Sequence, residues 1–371
     1  MVHAMLQMLQ DTELKDLVEK VEKGERLSRE DGIRLMKSND LLTVGYLAGL
    51  VRKRKNGDNV YFIVNRHINH TNICKTRCKL CAFGKDAGDE GAYLMSLDEV
   101  EAKAREVQNA RVSEVHIVGG CHPDLRMAYY EEMLRRISRV LPGVHIQAFT
   151  AVEIDHFAET EGISPEEVLR RLQEAGLGSL PGGGAEIFSN RVRNMICEKK
   201  VSGERWLEIH ALAHKIGMRT NATMLYGHVE TPEERVDHLL ALRELQDQTG
   251  GFLTFIPLAF HPKNTGLEEM KLPRTTGFED LKVLAVARLM LDNFDHIKAF
   301  WIMIGPKMAQ VSLAFGVDDL DGTVIEERIT HAAGADTGQS LTRAELVNMV
   351  KAAGRKPIER DTLYNVIEEG F

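Results

Sequence analysis

The sequence has few cysteines, no long apolar run and no excess of positive charge, and each shortage excludes a class of protein. Five cysteines in 371 residues are too few for a disulfide framework, and three of them lie within eight residues, which is typical of a metal site in a reducing compartment. No apolar run approaches the roughly 18 residues that span a bilayer, and no amino-terminal segment has the order of a secretion signal. We therefore expect a cytoplasmic protein without a membrane-spanning part.

The charge balance is acidic, with 55 Asp and Glu residues against 47 Lys and Arg residues and a formal net charge of -8. A protein whose main partner is nucleic acid normally has a basic surface, so we expect no such partner here. Hydrophobic residues make up 43% of the chain, which is enough for a full core. These properties favour a soluble enzyme that acts on a small molecule.

The chain begins with a helical pattern. Residues 1–56 alternate apolar and charged positions at helical spacing, which predicts an N-terminal helical extension. Within it, Ser28 and Asp31 have the spacing of a capping box. From residue 57 onward, short apolar strands alternate with amphipathic helices. Four later helix starts have the same spacing of a hydroxyl three residues before a carboxylate, at Ser96, Ser164, Thr231 and Thr342.

The strand pattern predicts an α/β fold, namely a closed (βα)8 barrel of the TIM type over residues 57–371 with further helices at its carboxyl end. An open doubly wound sheet is the alternative, but nothing in the sequence resembles a dinucleotide fingerprint. In a barrel, functional residues lie at the carboxyl ends of the strands. The eight strand candidates are residues 60–64, 114–118, 144–149, a short one near 179, 218–225, 252–258, 297–304 and a weak one at 318–320.

Three cysteines, Cys74, Cys78 and Cys81, follow the first predicted strand with the spacing C-x3-C-x2-C. Three thiolates can hold three irons of a 4Fe-4S cluster and leave the fourth iron open to a chelating small molecule. A tetrahedral zinc site of three Cys and one His is the competing interpretation, because His67 and His70 lie just upstream. The remaining cysteines, Cys121 and Cys197, are expected to be free, buried thiols.

Glycines follow the second and fourth predicted strands. Gly119 and Gly120 come after the second strand, and Gly182 and Gly183 belong to a glycine run after the fourth. A glycine lets the backbone approach a ligand because it has no Cβ, although a plain tight turn needs the same residue. The position of these glycines directly after strands favours a binding site.

Two carboxylates and three basic side chains complete the predicted active face. Glu153 and Glu186 follow the third and fourth strands, where a carboxylate can accept hydrogen bonds from ribose hydroxyls. His228 and His261 follow the fifth and sixth strands, and Lys298 lies on the seventh. An isolated histidine is often a core or surface residue with a satisfied ring, but these two share loops with turn residues at the predicted active face.

The cysteine spacing in the loop after a first strand resembles the radical S-adenosylmethionine superfamily. In that superfamily the three cysteines hold a 4Fe-4S cluster, and the fourth iron binds the amino and carboxylate groups of S-adenosylmethionine. An electron from the cluster then cleaves the sulfonium to a 5'-deoxyadenosyl radical. The resemblance implies that Gly119 and Gly120 bind the methionyl amino group.

Longer strings resemble one family within that superfamily, the aminofutalosine synthases, from about residue 25 to the end of the chain. The related cyclic dehypoxanthine futalosine synthases and F0 synthase subunits share the cysteines and are the alternatives. The strings that carry the resemblance are residues 183–188, 221–230, 256–262 and 318–323.

The resemblance implies that the 5'-deoxyadenosyl radical adds to 3-[(1-carboxyvinyl)oxy]benzoate, an enolpyruvyl benzoate. Rearrangement and decarboxylation then give 6-amino-6-deoxyfutalosine in menaquinone biosynthesis. Such chemistry needs a dry pocket and groups for two carboxylates, for which His228, His261 and Lys298 are the candidates. It also implies an electron donor such as flavodoxin or ferredoxin. A zinc-stabilised barrel that binds a ligand without redox chemistry is the alternative from a different class.

Overall fold

Helices precede the barrel in the described part of the chain. The computed structural model describes residues 12–371, so the predicted helical character of residues 1–11 lies outside the described residues. Buried leucines of this part, among them Leu17, Leu35 and Leu47, belong to the same hydrophobic core as the barrel. The helices between residues 12 and 56 are α1 (Lys15–Lys23), α2 (Arg29–Lys37) and α3 (Leu41–Asn56).

The first barrel strand has two parts, β1 (Asn59–Ile63) and β2 (Asn65–Ile68). The sequence predicts only the first part, because polar residues at inward positions interrupt the apolar run. The second part begins a parallel sheet of seven strands whose order in space is their order in the chain. The others are β3 (Glu114–Ile117), β4 (His145–Ala148), β5 (Ser179–Leu180), β6 (Arg219–Tyr226), β7 (Phe252–Ala259) and β8 (His296–Ile297).

Helices cover this sheet on the outside. Reciprocal capping boxes begin four of the helices after β2, at Ser96, Thr150, Thr231 and Thr342, and Ser164 accepts a hydrogen bond from the backbone of Glu167. The predicted helix starts are therefore correct. The helices that follow β2 to β7 are α4 (Leu97–Arg105), α5 (Met127–Val140), α6 (Ala151–Glu161), α7 (Pro165–Glu174), α8 (Asn190–Ile196), α9 (Gly203–Lys215), α10 (Pro232–Thr249) and α11 (Gly277–Met290), with a 3-10 turn at Glu268–Met270.

A further strand closes the ring. Residues 318–325, which include β9 (Asp319–Gly322), bond to both edges of the seven-stranded sheet. On one side the backbone N–H of Ala299 donates to Asp319 at 2.9 Å, and on the other the N–H of His67 donates to Ile325 at 3.0 Å. The predicted (βα)8 barrel is confirmed, and its eighth strand lies where the weakest candidate was expected.

Two predictions near the carboxyl end are wrong. The seventh barrel strand ends at Ile297 rather than Ile304, because residues 301–304 form a short helix in which Trp301 is buried. The chain also ends in strands rather than helices alone. The elements of this region are α12 (Trp301–Ile304), α13 (Pro306–Ser312), α14 (Ile329–Ala332), α15 (Arg343–Ala352), β10 (Lys356–Arg360) and β11 (Val366–Glu369).

The last two strands are rich in charged residues, so the sequence did not predict them. β10 pairs in parallel with β1, and its Glu359 and Arg360 are buried although such residues normally mark a surface. Glu359 is paired with Arg343 and Arg360 with Asp319, which compensates their burial. Among residues 12–371, no helix is both long and apolar enough to cross a membrane.

Candidate active site

The barrel encloses one large cavity of about 680 Å³ that extends from the carboxyl ends of the strands into the interior. We call its outer part the mouth, formed by the loops at residues 74–85, 119–121 and 181–186. We call its inner part the floor, which consists of the inward side chains His67, Glu114, His116, Gln147, Asn221, Lys298 and Asp321. The cysteine loop and the two glycine loops expected at the strand ends therefore meet at the mouth.

The three clustered cysteines lie at the mouth, half-buried and free. The backbone N–H of Cys74 donates to Lys85 at 2.9 Å, and that of Cys81 donates to Cys78 at 3.1 Å, so the loop folds back on itself. The thiol of Cys121 lowers the pKa of Cys74 to about 4, whereas burial raises the pKa of Cys78 to about 12. Cys121 and Cys197 are free and buried, as predicted.

The glycine turn after β3 packs against the cysteine loop. A Cβ on Gly120 would lie 2.3 Å from the carbonyl oxygen of Ile73, so only glycine fits there. The N–H of Gly120 donates to Thr71 at 2.9 Å, and the N–H of Gly119 donates to Glu153 at 3.1 Å. The turn is thus held from both sides by the protein itself.

Glu153 lines the cavity, but both of its oxygens are engaged. One accepts from Gly119, and the other accepts from the backbone and hydroxyl of Thr150 at 2.7 and 2.9 Å, in the capping box that begins α6. Burial raises the pKa of this carboxyl to about 7. One oxygen of Glu153 therefore holds the glycine turn and the other holds the start of α6, and ribose binding by Glu153 stays a prediction.

The loop after β5 brings a glycine run and a carboxylate to the mouth. A Cβ on Gly182 would lie 2.8 Å from the backbone of Asn221, and one on Gly183 would lie 2.9 Å from Thr150. Glu186 has a left-handed backbone with φ of 47° and accepts from Lys200 at 2.6 Å through one oxygen. Burial tends to raise the pKa of Glu186, but Lys200 outweighs it and holds the pKa below the usual value.

Two of the predicted basic residues do not line the cavity. The ring of His228 is fully buried between the carbonyl of Leu225 at 3.1 Å and the carboxylate of Glu230 at 2.9 Å. His261 contacts the carbonyl of Met303 at 3.0 Å through its ring. The expectation that these two histidines bind substrate is corrected, because the loops turn their side chains toward the protein.

Lys298 does lie on the cavity floor. It is 6% exposed, and its ammonium is 3.6 Å from the carboxylate of Asp321. Glu114 is buried beside it and accepts hydrogen bonds from Asn65 at 3.2 Å and Thr362 at 2.9 Å. Lys298 is therefore a buried cation that faces the cavity.

Comparisons with known proteins agree with this geometry. Residues 68–242 match the family model described as "Radical SAM superfamily", and residues 249–370 match "CofH/MqnC C-terminal region". The chain is 51% identical to the aminodeoxyfutalosine synthase of Thermus thermophilus over 97% of each chain. The chain belongs to the radical S-adenosylmethionine superfamily. Within that superfamily it groups with the aminodeoxyfutalosine synthases, which confirms both resemblances and shows that it is an enzyme of this kind.

Other relatives widen this picture. The aminodeoxyfutalosine synthase of Streptomyces coelicolor is 47% identical over 96% of this chain and 94% of its own. A Methanosarcina mazei relative named 5-amino-6-(D-ribitylamino)uracil--L-tyrosine 4-hydroxyphenyl transferase 2 is 40% identical over 96% of this chain and 93% of its own. Among solved radical enzymes, methylornithine synthase has a TM-score of 0.71 at 18% identity, covering 91% of this chain and 96% of that one. That structure supports the fold alone.

The mouth fits the 4Fe-4S cluster of the superfamily. Three thiols face one cavity, and glycines remove the side chains that would otherwise fill it. Within residues 12–371, no three His, Cys, Asp or Glu side chains surround a single metal position. A 4Fe-4S cluster takes one cysteine on each of three irons, and three thiols at one cavity supply those ligands.

Most residues of the floor stand in no sequence motif that marks a binding site. His67, His116, Gln147 and Asn221 lie within strands, so they follow no motif and no turn. Their signal is alternation, because every second residue of a barrel strand points inward. Polar residues at positions 114 and 116 of an otherwise apolar strand carry that signal.

Proposed function

We propose that the enzyme transfers the 5'-deoxyadenosyl group of S-adenosylmethionine to enolpyruvyl benzoate, with release of methionine, rearrangement and loss of carbon dioxide, giving 6-amino-6-deoxyfutalosine for menaquinone biosynthesis. The observation that carries this proposal is a single cavity that connects a three-cysteine mouth to a floor with a buried cation, Lys298. The similarity to aminodeoxyfutalosine synthases over nearly the whole chain supports the same substrate class.

The mouth is assigned to the cluster and S-adenosylmethionine. Cys74, Cys78 and Cys81 hold the 4Fe-4S cluster, which supplies the electron for cleavage of the sulfonium when it is bound. Gly119, Gly120, Gly182 and Gly183 supply a surface without side chains against which the nucleoside packs. Glu186 has one oxygen that Lys200 does not occupy, and we assign it to a ribose hydroxyl.

The floor is assigned to the carboxylates of the substrate. Lys298 is the cation that faces the cavity from the strands, so it is the partner we propose for one carboxylate. Apolar side chains form the wall between the two regions and exclude water from the reacting atoms. They are Leu225, Ile256, Leu258, Phe300 and Met303.

Product analysis tests the proposal. The anaerobic enzyme, with its cluster reduced, is incubated with S-adenosylmethionine and enolpyruvyl benzoate. We expect methionine and an adenosyl adduct of the mass of 6-amino-6-deoxyfutalosine. Free 5'-deoxyadenosine without an adduct would contradict addition and favour a hydrogen-abstracting relative. A colourless protein that holds zinc and no iron would support the ligand-binding barrel instead.

A second candidate follows from the relatives that are 40% identical and named 4-hydroxyphenyl transferases. Incubation with L-tyrosine and 5-amino-6-(D-ribitylamino)uracil in place of enolpyruvyl benzoate distinguishes the two. We expect no product from that pair.

We further propose that a flavodoxin or ferredoxin supplies the electron and that the enzyme works in the cytoplasm, where thiols stay reduced.

A further inference from the structure

The floor contains two stacked imidazoles that face the cavity. His67 of β2 and His116 of β3 are paired in register, with ring centroids 4.5 Å apart and planes inclined by 19°. Both line the cavity. Within residues 12–371 the ring of His67 has no hydrogen-bond partner, and the ring of His116 has one, Gln147. Nitrogen atoms that face the cavity without protein partners are available to a ligand.

The hydrogen bonds around Gln147 assign the hydrogen of His116 to Nδ1. The amide nitrogen of Gln147 donates to the hydroxyl of Ser179 at 3.1 Å, so its oxygen faces the other way. That oxygen accepts from Asn221 at 3.2 Å and lies 3.3 Å from Nδ1 of His116. Since an amide oxygen only accepts, Nδ1 of His116 carries the hydrogen. In the neutral ring, Nε2 therefore presents a lone pair to the cavity.

The charged groups around His116 do not balance the charge of a further anion. Glu114 of the same strand and Asp321 of β9 face it, while Lys298 is the cation nearby, and His67 is stacked on it. Lys298 already lies 3.6 Å from Asp321. Burial lowers the pKa of His116 and of His67, so both rings are neutral in the free enzyme near pH 7. A carboxylate that enters here adds a negative charge that one lysine does not balance.

We propose that one substrate carboxylate binds between Lys298 and Nε2 of His116, and that His116 takes up one proton when it binds. The proton comes from the buffer and converts Nε2 from an acceptor into a charged donor. Nδ1 keeps its bond to Gln147. This inference rests on the proposed function, because it needs a substrate with a carboxylate.

Proton uptake is measured directly by calorimetry. Enolpyruvyl benzoate is titrated into the anaerobic holoenzyme with S-adenosylmethionine and an oxidised cluster, so that no turnover occurs. Titrations at pH 7.5 in buffers of different ionisation enthalpy give the number of protons bound. We expect about one proton, and an affinity that rises by up to tenfold for each unit fall in pH over this range. Binding without proton uptake would overturn the inference.

Two variants of His116 separate binding from folding. Asparagine in His116→Asn can keep the bond to Gln147 and removes Nε2, whereas glutamine in His116→Gln restores a donor near the position of Nε2. We expect His116→Asn to abolish proton uptake and weaken binding by about tenfold to a hundredfold, with partial rescue of affinity by His116→Gln. The iron content of both variants should equal that of the wild type.

The outcomes distinguish this inference from the proposed function. If the wild type neither binds enolpyruvyl benzoate nor forms the adduct, the proposed function is wrong and the inference falls with it. If the wild type forms the adduct but His116→Asn binds with unchanged affinity and proton uptake, only the inference is wrong. Uptake that survives in His116→Asn and disappears in His67→Asn would also overturn the assignment to His116.

Discussion

The mouth and the floor of the cavity are built in different ways. The mouth consists of loops, where Gly120 packs against Ile73 so closely that a single methyl group would not fit. The floor consists of strand residues held by side-chain hydrogen bonds, such as those of Gln147 to His116 and Asn221. Backbone shape therefore determines the mouth, and side-chain identity determines the floor.

This difference separates the two tasks of the enzyme. A loop that fits only one backbone conformation suits a reagent common to a whole superfamily, such as S-adenosylmethionine. Side chains that point inward from rigid strands can change without moving the backbone. We therefore expect substitutions at the mouth to affect the cluster and S-adenosylmethionine, and those on the floor to affect the second substrate alone.

The largest effect is expected at the mouth. Cys74→Ala removes one of three thiolates, so we expect loss of nearly all cluster iron and all adduct formation. Iron analysis and the visible absorption of the cluster measure this. Cys197→Ala is the control, because Cys197 is also a free thiol but lies outside the C-x3-C-x2-C loop. Full iron content in Cys74→Ala would contradict the assignment of the cluster ligands.

Replacement of Lys298 is the corresponding test of the floor. Lys298→Met keeps the length of the side chain and removes the charge, which leaves Asp321 without the cation at 3.6 Å. We expect the affinity for enolpyruvyl benzoate to fall by about a hundredfold, while iron content and binding of S-adenosylmethionine stay unchanged. Lys307→Met, at an exposed position, is the control. Loss of iron in Lys298→Met would show that the floor and the mouth are not separable.

The same difference explains what the sequence could predict. The cysteine spacing, the glycine turns and the helix caps are local patterns, so the sequence could place Cys74 and Gly120 after strands and the capping boxes at helix starts. His116 and Gln147 become neighbours only when parallel strands align, and no spacing along the chain encodes that contact. The sequence pattern also predicted His228 at the active face, but the local bond to Glu230 turns its ring away from the cavity and into the protein.

The strands near the carboxyl end were difficult to predict from the sequence for a related reason. The charged residues of β10 suggest a surface element, yet Arg360 is buried against Asp319 and Tyr364. Long-range ion pairs of this kind compensate burial that composition would exclude. The apolar run at residues 297–304 was ambiguous between strand and helix, as short apolar runs are.

A smaller effect at the mouth sharpens the role of backbone shape. Gly120→Ala places a methyl group 2.3 Å from the carbonyl oxygen of Ile73 and must displace the cysteine loop. We expect the free energy of unfolding to fall by about 1 to 3 kcal/mol. We also expect the affinity for S-adenosylmethionine, measured by calorimetry, to fall by about tenfold. Gly88→Ala, in the connection between β2 and α4 and in open space, is the control. Equal affinities in the two variants would contradict the close fit.

The smallest effect is expected in the segment that follows β9, residues 327–337, which belongs to neither the mouth nor the floor. Glu327 lines the cavity, and His331 contacts its carboxylate at 3.0 Å and the carbonyl of Thr337 at 3.0 Å. The bond to Glu327 raises the pKa of His331 to about 9. Because the folded pKa exceeds the unfolded value of about 6.5, the stabilisation is complete below pH 6.5 and is lost as pH rises through 9.

His331→Asn should therefore lower stability by about 1 to 2 kcal/mol at pH 6, with a smaller deficit at pH 9.5, since partial exposure weakens the ion pair. Thermal unfolding of the anaerobic holoenzyme at both pH values, wild type against variant, measures the difference. Glu327→Gln should show the same pH dependence, because it removes the other partner. A stability deficit that is equal at both pH values would mean that packing, rather than charge, holds this segment in place. Shape would then determine the cavity beyond the mouth as well.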